Sequence, residues 1–442
     1  MLQADEIIRA AWVLPVEPAD TVLEDHALVL QAGRIVEILP AGQVLARWQA
    51  PVVRSLPEHV LLPGLVNAHG HAAMTLLRGL ADDHALMDWL QNWIWPAEGR
   101  WVGEDFVRCG TRLAIAEMLR RGTTCFSDMY FFPDVVAETV IETGLRAQIA
   151  FPILQHPSAW ASGPDEYLAK GLETRDRYKS NPRLVFAFGP HAPYSNSDAT
   201  LSRVSVLAAE LDAPVQIHLH ETAGEVADSI SLHGMRPLER IDRLGLLSPR
   251  LQCVHMTQVS PGDLELLRRE RAHVVHCPSS NLKLASGFCP TRTLLGAGIN
   301  VCIGTDGAAS NNCLDLLAET RLAALLAKGA SGDPMALSAH AALRLATIAG
   351  AEAMGLGDRI GSLVPGKEAD MIAVDLARSG CQPVYDVHSA LVYASSAVGV
   401  SHAWVEGRLL LEDGRLAAIE EGSLLSEAAV WRDRILPRGI GR

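Results

Sequence analysis

Between residues 61 and 365 the chain repeats one pattern: a short continuous apolar run rich in β-branched residues, then a longer stretch with helical spacing. Such runs predict strands near Leu61–His69, Thr123–Asp128, Arg146–Phe151, Leu184–His191, Val215–His220, Leu251–His255, His273–Cys277 and Asn300–Thr305. Phe106–Arg121 and Leu201–Leu211, between them, carry amphipathic periodicity. A strand apolar on both sides must be covered on both sides. A parallel neighbour is reached only by a crossover, so strands alternating with helices make parallel β/α units. About eight units fit an α/β fold of the (β/α)8 TIM-like barrel type. A doubly wound open sheet is the other topology, but no Gly-x-Gly-x-x-Gly turn follows an early strand to support its dinucleotide-binding form.

The flanks read differently. Ala27–Leu39 alternates as a hairpin with its turn at Ala32-Gly33-Arg34, and Met371–Asp375 and Ala403–Arg415 read as strand, turn and strand. Two β-rich ends suggest a small β-sandwich domain built from both termini. The expected division is 1–60 and 366–442 for that domain, with the barrel at 61–365. Hydrophobic residues at 49% against 20% charged exclude disorder as the main state. With 38 Lys+Arg against 51 Asp+Glu the net charge is −13, which argues against a nucleic-acid partner. No run approaches the ~18 apolar residues of a membrane span. Met1–Glu6 places acids where a secretory signal is basic, so no membrane partner and a cytoplasmic location are expected. Eight cysteines without a Cys-x-x-Cys pair read as reduced, buried thiols. Homo-oligomerisation is left open.

The predicted strand ends carry the chemistry. They read His69-Gly70-His71, His191, His218-Leu219-His220-Glu221, His255 and Thr305-Asp306. Barrel enzymes place reacting groups at the C-terminal ends of their strands, so these side chains would share one mouth. Alone, His69 and His71 are only a candidate pair on one strand face, and Asp306 could be a helix N-cap. Together, imidazole nitrogen and carboxylate oxygen suit a borderline divalent ion such as zinc. Strand parity does not separate His218 from His220.

Leu62-Pro63-Gly64-Leu65-Val66-Asn67-Ala68-His69-Gly70-His71 resembles the first-strand motif of the amidohydrolase superfamily. His218-x-x-Glu221, His255 and Gly304-Thr305-Asp306 resemble its later motifs, and Gly361–Asp370 resembles its return to the sheet domain. More narrowly, Met87-Asp88-Trp89-Leu90, Ile94–Glu98, Gly189–Tyr194 and Ser280–Gly287 resemble the deaminases of 5′-methylthioadenosine and S-adenosylhomocysteine. The resemblance implies metal ligands His69, His71, His218 and Asp306, and it alone chooses His218 over His220. The fourth strand ends in His191 and no Lys, so one divalent ion, Zn2+ by preference, is expected instead of a two-metal site.

The resemblance also implies water attack at C6 of an adenine ring, with Glu221 as general acid, Asp306 as proton acceptor and His255 orienting the water. Substrate contacts fall to Glu98 on the ribose hydroxyls and His191 on the nucleoside, beside Glu221 and Asp306. His276 is read as a supporting residue, and Trp89, Trp93, Trp95 and Trp101 as packing. The expected partners are a small nucleoside and water. The segment Phe151–Asp165 contains neither Arg nor Lys where family members bind S-adenosylhomocysteine through arginines. Methylthioadenosine or adenosine is therefore expected to be preferred.

The rival readings are a hydrolase of guanine, cytosine or a triazine on the same scaffold, and a non-catalytic barrel assembly protein. The first would be indifferent to the ribose hydroxyls; the second would hold no metal. The zinc deaminases with a Pro-Cys-x-x-Cys signature are excluded because that motif is absent.

Overall fold

The computed structural model describes residues 1–394 and 399–436. Its central sheet has eight parallel strands: β1 (Leu65–Asn67), β2 (Thr123–Asp128), β3 (Arg146–Ile153), β4 (Leu184–Pro190), β5 (Val215–Leu219), β6 (Leu251–His255), β7 (His273–His276) and β8 (Val301–Ile303). They are hydrogen-bonded in chain order. The Ala68 amide donates to the Ile303 carbonyl (2.9 Å) and the Asp306 amide to the His69 carbonyl (3.0 Å), so the last strand meets the first. Helices such as Glu104–Arg120 and Asp198–Glu210 fill the crossovers and bury their apolar faces. This is the expected α/β barrel.

Two glycines allow strands to approach this closely. A Cβ at Gly64 would lie 2.0 Å from Thr124 Oγ1 in β2, and one at Gly304 would lie 2.9 Å from the Cβ, N and O of His69. Neither site has room for a side chain.

The first predicted strand, Leu61–His69, is two elements. Val52–Pro63 belongs to the terminal sheet, Gly64 breaks the run, and the barrel strand begins at Leu65. The apolar signal runs through both because both are buried. The terminal β-sandwich takes the form of an eight-stranded mixed sheet with a two-stranded addition, Leu2–Gln3 beside Trp48–Gln49. Its order is Arg415–Leu416, Arg408–Glu412, Gly399–Val405, Met371–Asp375, Val52–Pro63, Glu6–Val13, Leu23–Gln31 and Arg34–Pro40. The two ends of the chain meet where Val52–Pro63 pairs antiparallel with Met371–Asp375. The helix Glu421–Ile435 returns to the barrel, setting Trp431 edge-on to Phe106 at 5.3 Å. Residues 437–442 of the expected C-terminal segment lie outside the described residues.

Arg146, at the start of β3, is fully buried and joins barrel to sheet. It donates through Nε to Asp370 (2.9 Å), through Nη2 to Glu368 (2.5 Å) and through Nη1 to the Pro182 carbonyl (3.1 Å). Among the described residues no helix is long and apolar enough to cross a membrane.

Candidate metal centre

At the C-terminal mouth of the barrel, one ligand atom each from His69, His71, His218 and Asp306 lies within 4.8 Å of the others. The Nε2 atoms of His69 and His218 are 3.1 Å apart, and Asp306 Oδ1 is 3.5 Å from His69 Nε2 and 3.2 Å from His71 Nε2. The other nitrogen of each ring fixes its tautomer. His71 Nδ1 donates to the Met129 carbonyl (2.7 Å) and His218 Nδ1 to the His191 carbonyl (2.7 Å). Gln216 Nε2 donates to the Ala68 carbonyl and to Gln252 Oε1, so its own Oε1 must accept from His69 Nδ1 at 2.8 Å. Each neutral ring therefore presents a lone pair on Nε2.

Three lone pairs and a carboxylate oxygen facing each other at such distances repel unless a cation lies among them. The donor set, three nitrogens and one oxygen, suits a borderline divalent ion, and an Nδ1–H bonded to oxygen is the usual support of a metal-bound imidazole. Burial, and then the neighbouring imidazoles, push His218 well below its ordinary pKa; burial likewise lowers His69. His71 moves the other way, to about 9: burial opposes this, but the hydrogen bond to Asp306 outweighs it. A cation in the cluster competes with that proton.

Asp306 is held by three donors: Gly307 N–H to Oδ1 (2.9 Å), and the hydroxyls of Ser280 (2.6 Å) and Ser310 (3.0 Å) to Oδ2. Oδ2 is thereby occupied, while Oδ1 faces the histidines. Neither His69 nor His71 lies on the paired part of β1; both follow it in the turn, with rings 4.8 Å apart and nearly perpendicular. The two rings meet through that turn, not through a shared strand face.

His220 separates from His218 because it has left β5 with φ of +52°. Its Nδ1 donates to the Gln258 carbonyl (3.1 Å) and its Nε2 accepts from the Leu238 amide (3.0 Å), so both nitrogens are used structurally. His255 and Asp306 also adopt the left-handed region, at φ +79° and +61°. Non-glycine residues held there at three strand ends mark backbone bent to aim side chains.

Glu221 follows at the end of β5. Burial, and next the Asp306 carboxylate, push its carboxyl up to about 8. Its backbone amide donates to Glu225 Oε2 (2.6 Å), the His220 amide to Glu225 Oε1 (2.9 Å), and the Ser286 hydroxyl to Glu221 Oε1 (3.3 Å). His255 places Nε2 3.7 Å from Glu221 Oε2 and donates through Nδ1 to Asn281 Oδ1 (2.9 Å). His276 is buried at the end of β7, outside the four-residue cluster, with no partner for Nδ1 among the described residues.

A cavity of about 500 Å³ opens above the cluster. Its floor is His71, His218, Glu221, His255 and Asp306, and its walls are mainly apolar. Glu98 enters from the helix Trp95–Trp101 and His191 from the end of β4. Burial pushes the Glu98 carboxyl up to about 7, against the hydrogen bond it accepts from Tyr130. Burial and the neighbouring imidazoles push His191 down to about 4, and its Nδ1 lies 3.0 Å from Ser195 Oγ. Trp89 packs in the buried core as expected and, with Trp95, also lines the cavity; Trp93 and Trp101 do not line it. Pro152, Leu154, His156, Pro157, Ser158 and Ala159 supply a wall from the Arg- and Lys-free segment.

Sequence reasoning missed Gln216, Glu225, Asn281 and Tyr130. Glu225 was the accessible one: Thr222-Ala223-Gly224-Glu225 is a capping-box spacing, and Thr222 does accept from the Glu225 amide. The other three act across the fold, and no local spacing announces them.

A sequence profile of the amidohydrolase family matches residues 60–410. The 5-methylthioadenosine/S-adenosylhomocysteine deaminase of Saccharophagus degradans is 52% identical over 432 residues, covering 98% of this chain and 97% of that protein. The crystal structure of an adenosine deaminase from Xanthomonas campestris with bound zinc is 49% identical, with a TM-score of 0.96 over 98% of this chain and 99% of that one. Atrazine chlorohydrolase from Arthrobacter aurescens, complexed with zinc, shares the fold at a TM-score of 0.90 but is 23% identical, covering 97% of this chain and 100% of that one. With matches along nearly its whole length, and a His-His-His-Asp cluster at the mouth of its barrel, the chain belongs to the amidohydrolase family.

Proposed function

We propose that the protein is a metal-dependent hydrolytic deaminase of adenine nucleosides, acting on 5′-methylthioadenosine and adenosine in preference to S-adenosylhomocysteine. The observation that carries this is the convergence of His69, His71, His218 and Asp306 beside a buried Glu221 whose carboxyl is pushed up to about 8, under an apolar cavity. The deaminase names of the relatives support the same reading. The residues that would hold one divalent ion, zinc by preference, are His69, His71, His218 and Asp306. Once bound, it supplies Lewis acidity that brings deprotonation of water into the neutral range.

The chain's own groups divide the remaining work. Glu221 donates its proton to a ring nitrogen, making C6 electrophilic. Asp306, positioned by three donors and held ionised against its burial by the hydrogen bonds to His69 and His71, accepts a proton from the attacking water. His255, its Nδ1–H tied to Asn281, has Nε2 free to accept the water's other hydrogen and orient its lone pair. The C–O bond forms, the Asp306 proton passes to the amine, the C–N bond breaks, and the proton left on the new C6 hydroxyl returns to the Glu221 carboxylate, restoring the acid. The products are ammonia and the 6-oxo nucleoside. Glu98 accepts from the ribose, and His191, neutral at working pH, borders the nucleoside. The same reading treats 61–365 as the catalytic domain and 1–60 with 366–442 as the flanking one, with the terminal-sheet strand Val52–Pro63 overrunning the first boundary by three residues.

The 5′ preference follows from the cavity wall. Among the described residues no Lys or Arg lines it, so the carboxylate of an amino-acid substituent would lose water without gaining a cation. Assay of ammonia release from methylthioadenosine, adenosine, S-adenosylhomocysteine and free adenine, with metal content measured on the same sample, tests both statements. The expected order of kcat/KM puts methylthioadenosine and adenosine above S-adenosylhomocysteine. A highest value for S-adenosylhomocysteine refutes the preference; turnover of free adenine alone refutes the nucleoside assignment.

A further inference from the structure

The Glu98 carboxylate is already half engaged. Tyr130 Oη donates to Glu98 Oε1 at 2.7 Å, and among the described residues no group donates to Oε2. Tyr130 is buried in the cavity wall, and burial beside Glu98 holds its phenol protonated. A phenol that donates its one hydrogen still has lone pairs to accept with. Glu98 Oε2 and Tyr130 Oη are thus two neighbouring acceptors, fixed in relation by the bond between Oε1 and Oη.

The chain places this pair by a short strap after β2. Asp128 Oδ1 accepts from the Ala72 amide (2.6 Å), and the Met129 carbonyl accepts from His71 Nδ1 (2.7 Å). The next residue is Tyr130. The backbone that orients a candidate metal ligand therefore also sets the height of the phenol above it. We propose that Tyr130 is a specificity-determining residue: it accepts one hydroxyl of a vicinal diol while Glu98 Oε2 accepts the other. This rests on the reading of Glu98 as the ribose acceptor and deepens it. The single carboxylate that would take both hydroxyls is replaced by a carboxylate–phenol clamp.

The test is a substrate panel on four proteins: the parent, Tyr130→Phe, Glu98→Gln and the double variant. Each is assayed for kcat and KM with adenosine, 2′-deoxyadenosine, 3′-deoxyadenosine and 2′,3′-dideoxyadenosine. Tyr130→Phe is expected to lower kcat/KM for adenosine roughly ten-fold, through KM, as loss of a hydrogen bond in a charged pair does. Its effect on the dideoxy nucleoside should stay within about two-fold, because no hydroxyl remains to be bound. In the double variant the Tyr130 effect should shrink, since the two groups act as one unit. The ratio of adenosine to dideoxyadenosine within one preparation does not depend on the fraction folded, so a poorly folding variant still reports.

Equal losses on all four nucleosides would make Tyr130 a packing residue and overturn the clamp. So would an unchanged ratio in Tyr130→Phe alongside a collapsed ratio in Glu98→Gln. An unchanged ratio in Glu98→Gln would refute the ribose reading of Glu98, and the clamp would fall with it.

Discussion

An ordinary glutamate is ionised at neutral pH and has no proton to give. Glu221 differs because burial and the nearby Asp306 charge penalise its anion, which places its pKa at about 8. The sign of the pH effect follows. The competent form is protonated, so it is present below about pH 8 and is lost as pH rises through that value. The profile of kcat/KM is expected to fall on the alkaline side, and in Glu221→Gln that limb should vanish. Turnover in the variant should drop about 10²- to 10⁴-fold, the usual weight of a positioned general acid, with metal content unchanged by elemental analysis. A variant that keeps its kcat would assign the acid elsewhere. Residue identities at this scale were legible wherever the group ends a strand: His69, His71, His218, Glu221, His255 and Asp306 all meet at the mouth. What holds them was not. Gln216 reads as a polar interruption of a strand, and only the closed barrel brings its oxygen to His69.

At the scale of strands and turns, the alternation of apolar runs located each of the eight strands, Thr123–Asp128 and Leu251–His255 to the residue and most others within two residues at either end, with the first strand the exception. β1 starts four residues late because residues 60–67 are uniformly buried in two different sheets, and hydropathy has no boundary to report. The left-handed turns at His220, His255 and Asp306 were equally invisible, since nothing in those side chains announces a positive φ. Gly304 exposes the consequence of closing the barrel. Its missing Cβ leaves room for the His69 backbone, so Gly304→Ala must push β8 and β1 apart. Overpacking of this kind costs about 1–3 kcal/mol. The expected outcome is a lower Tm together with weaker metal retention under chelator challenge. Normal retention would show that the ligand strand can move without opening the site.

Across the whole molecule, Arg146 is the fully buried charged link among several that join barrel and terminal segments. Arg146→Ala leaves Asp370 buried without its cation, while Glu368 keeps Arg359 at 2.8 Å; stranding the one carboxylate costs about 3–5 kcal/mol. Thermal unfolding should shift down strongly, while KM for the nucleoside in the protein that remains folded should hold, because Arg146 does not line the cavity. A large KM change would mean that the base of the barrel communicates with its mouth.

The pairing of Val52–Pro63 with Met371–Asp375 has a consequence for biosynthesis. A growing polypeptide releases the first of these segments from the ribosome some three hundred residues before the second. Through that interval one strand edge, apolar over Val60–Pro63, has no mate, and an unpaired edge recruits strands that pass. Only when the late segment emerges is that border sealed. Chains stopped before residue 371 are therefore expected to partition into the insoluble fraction more than the full-length chain made alongside them.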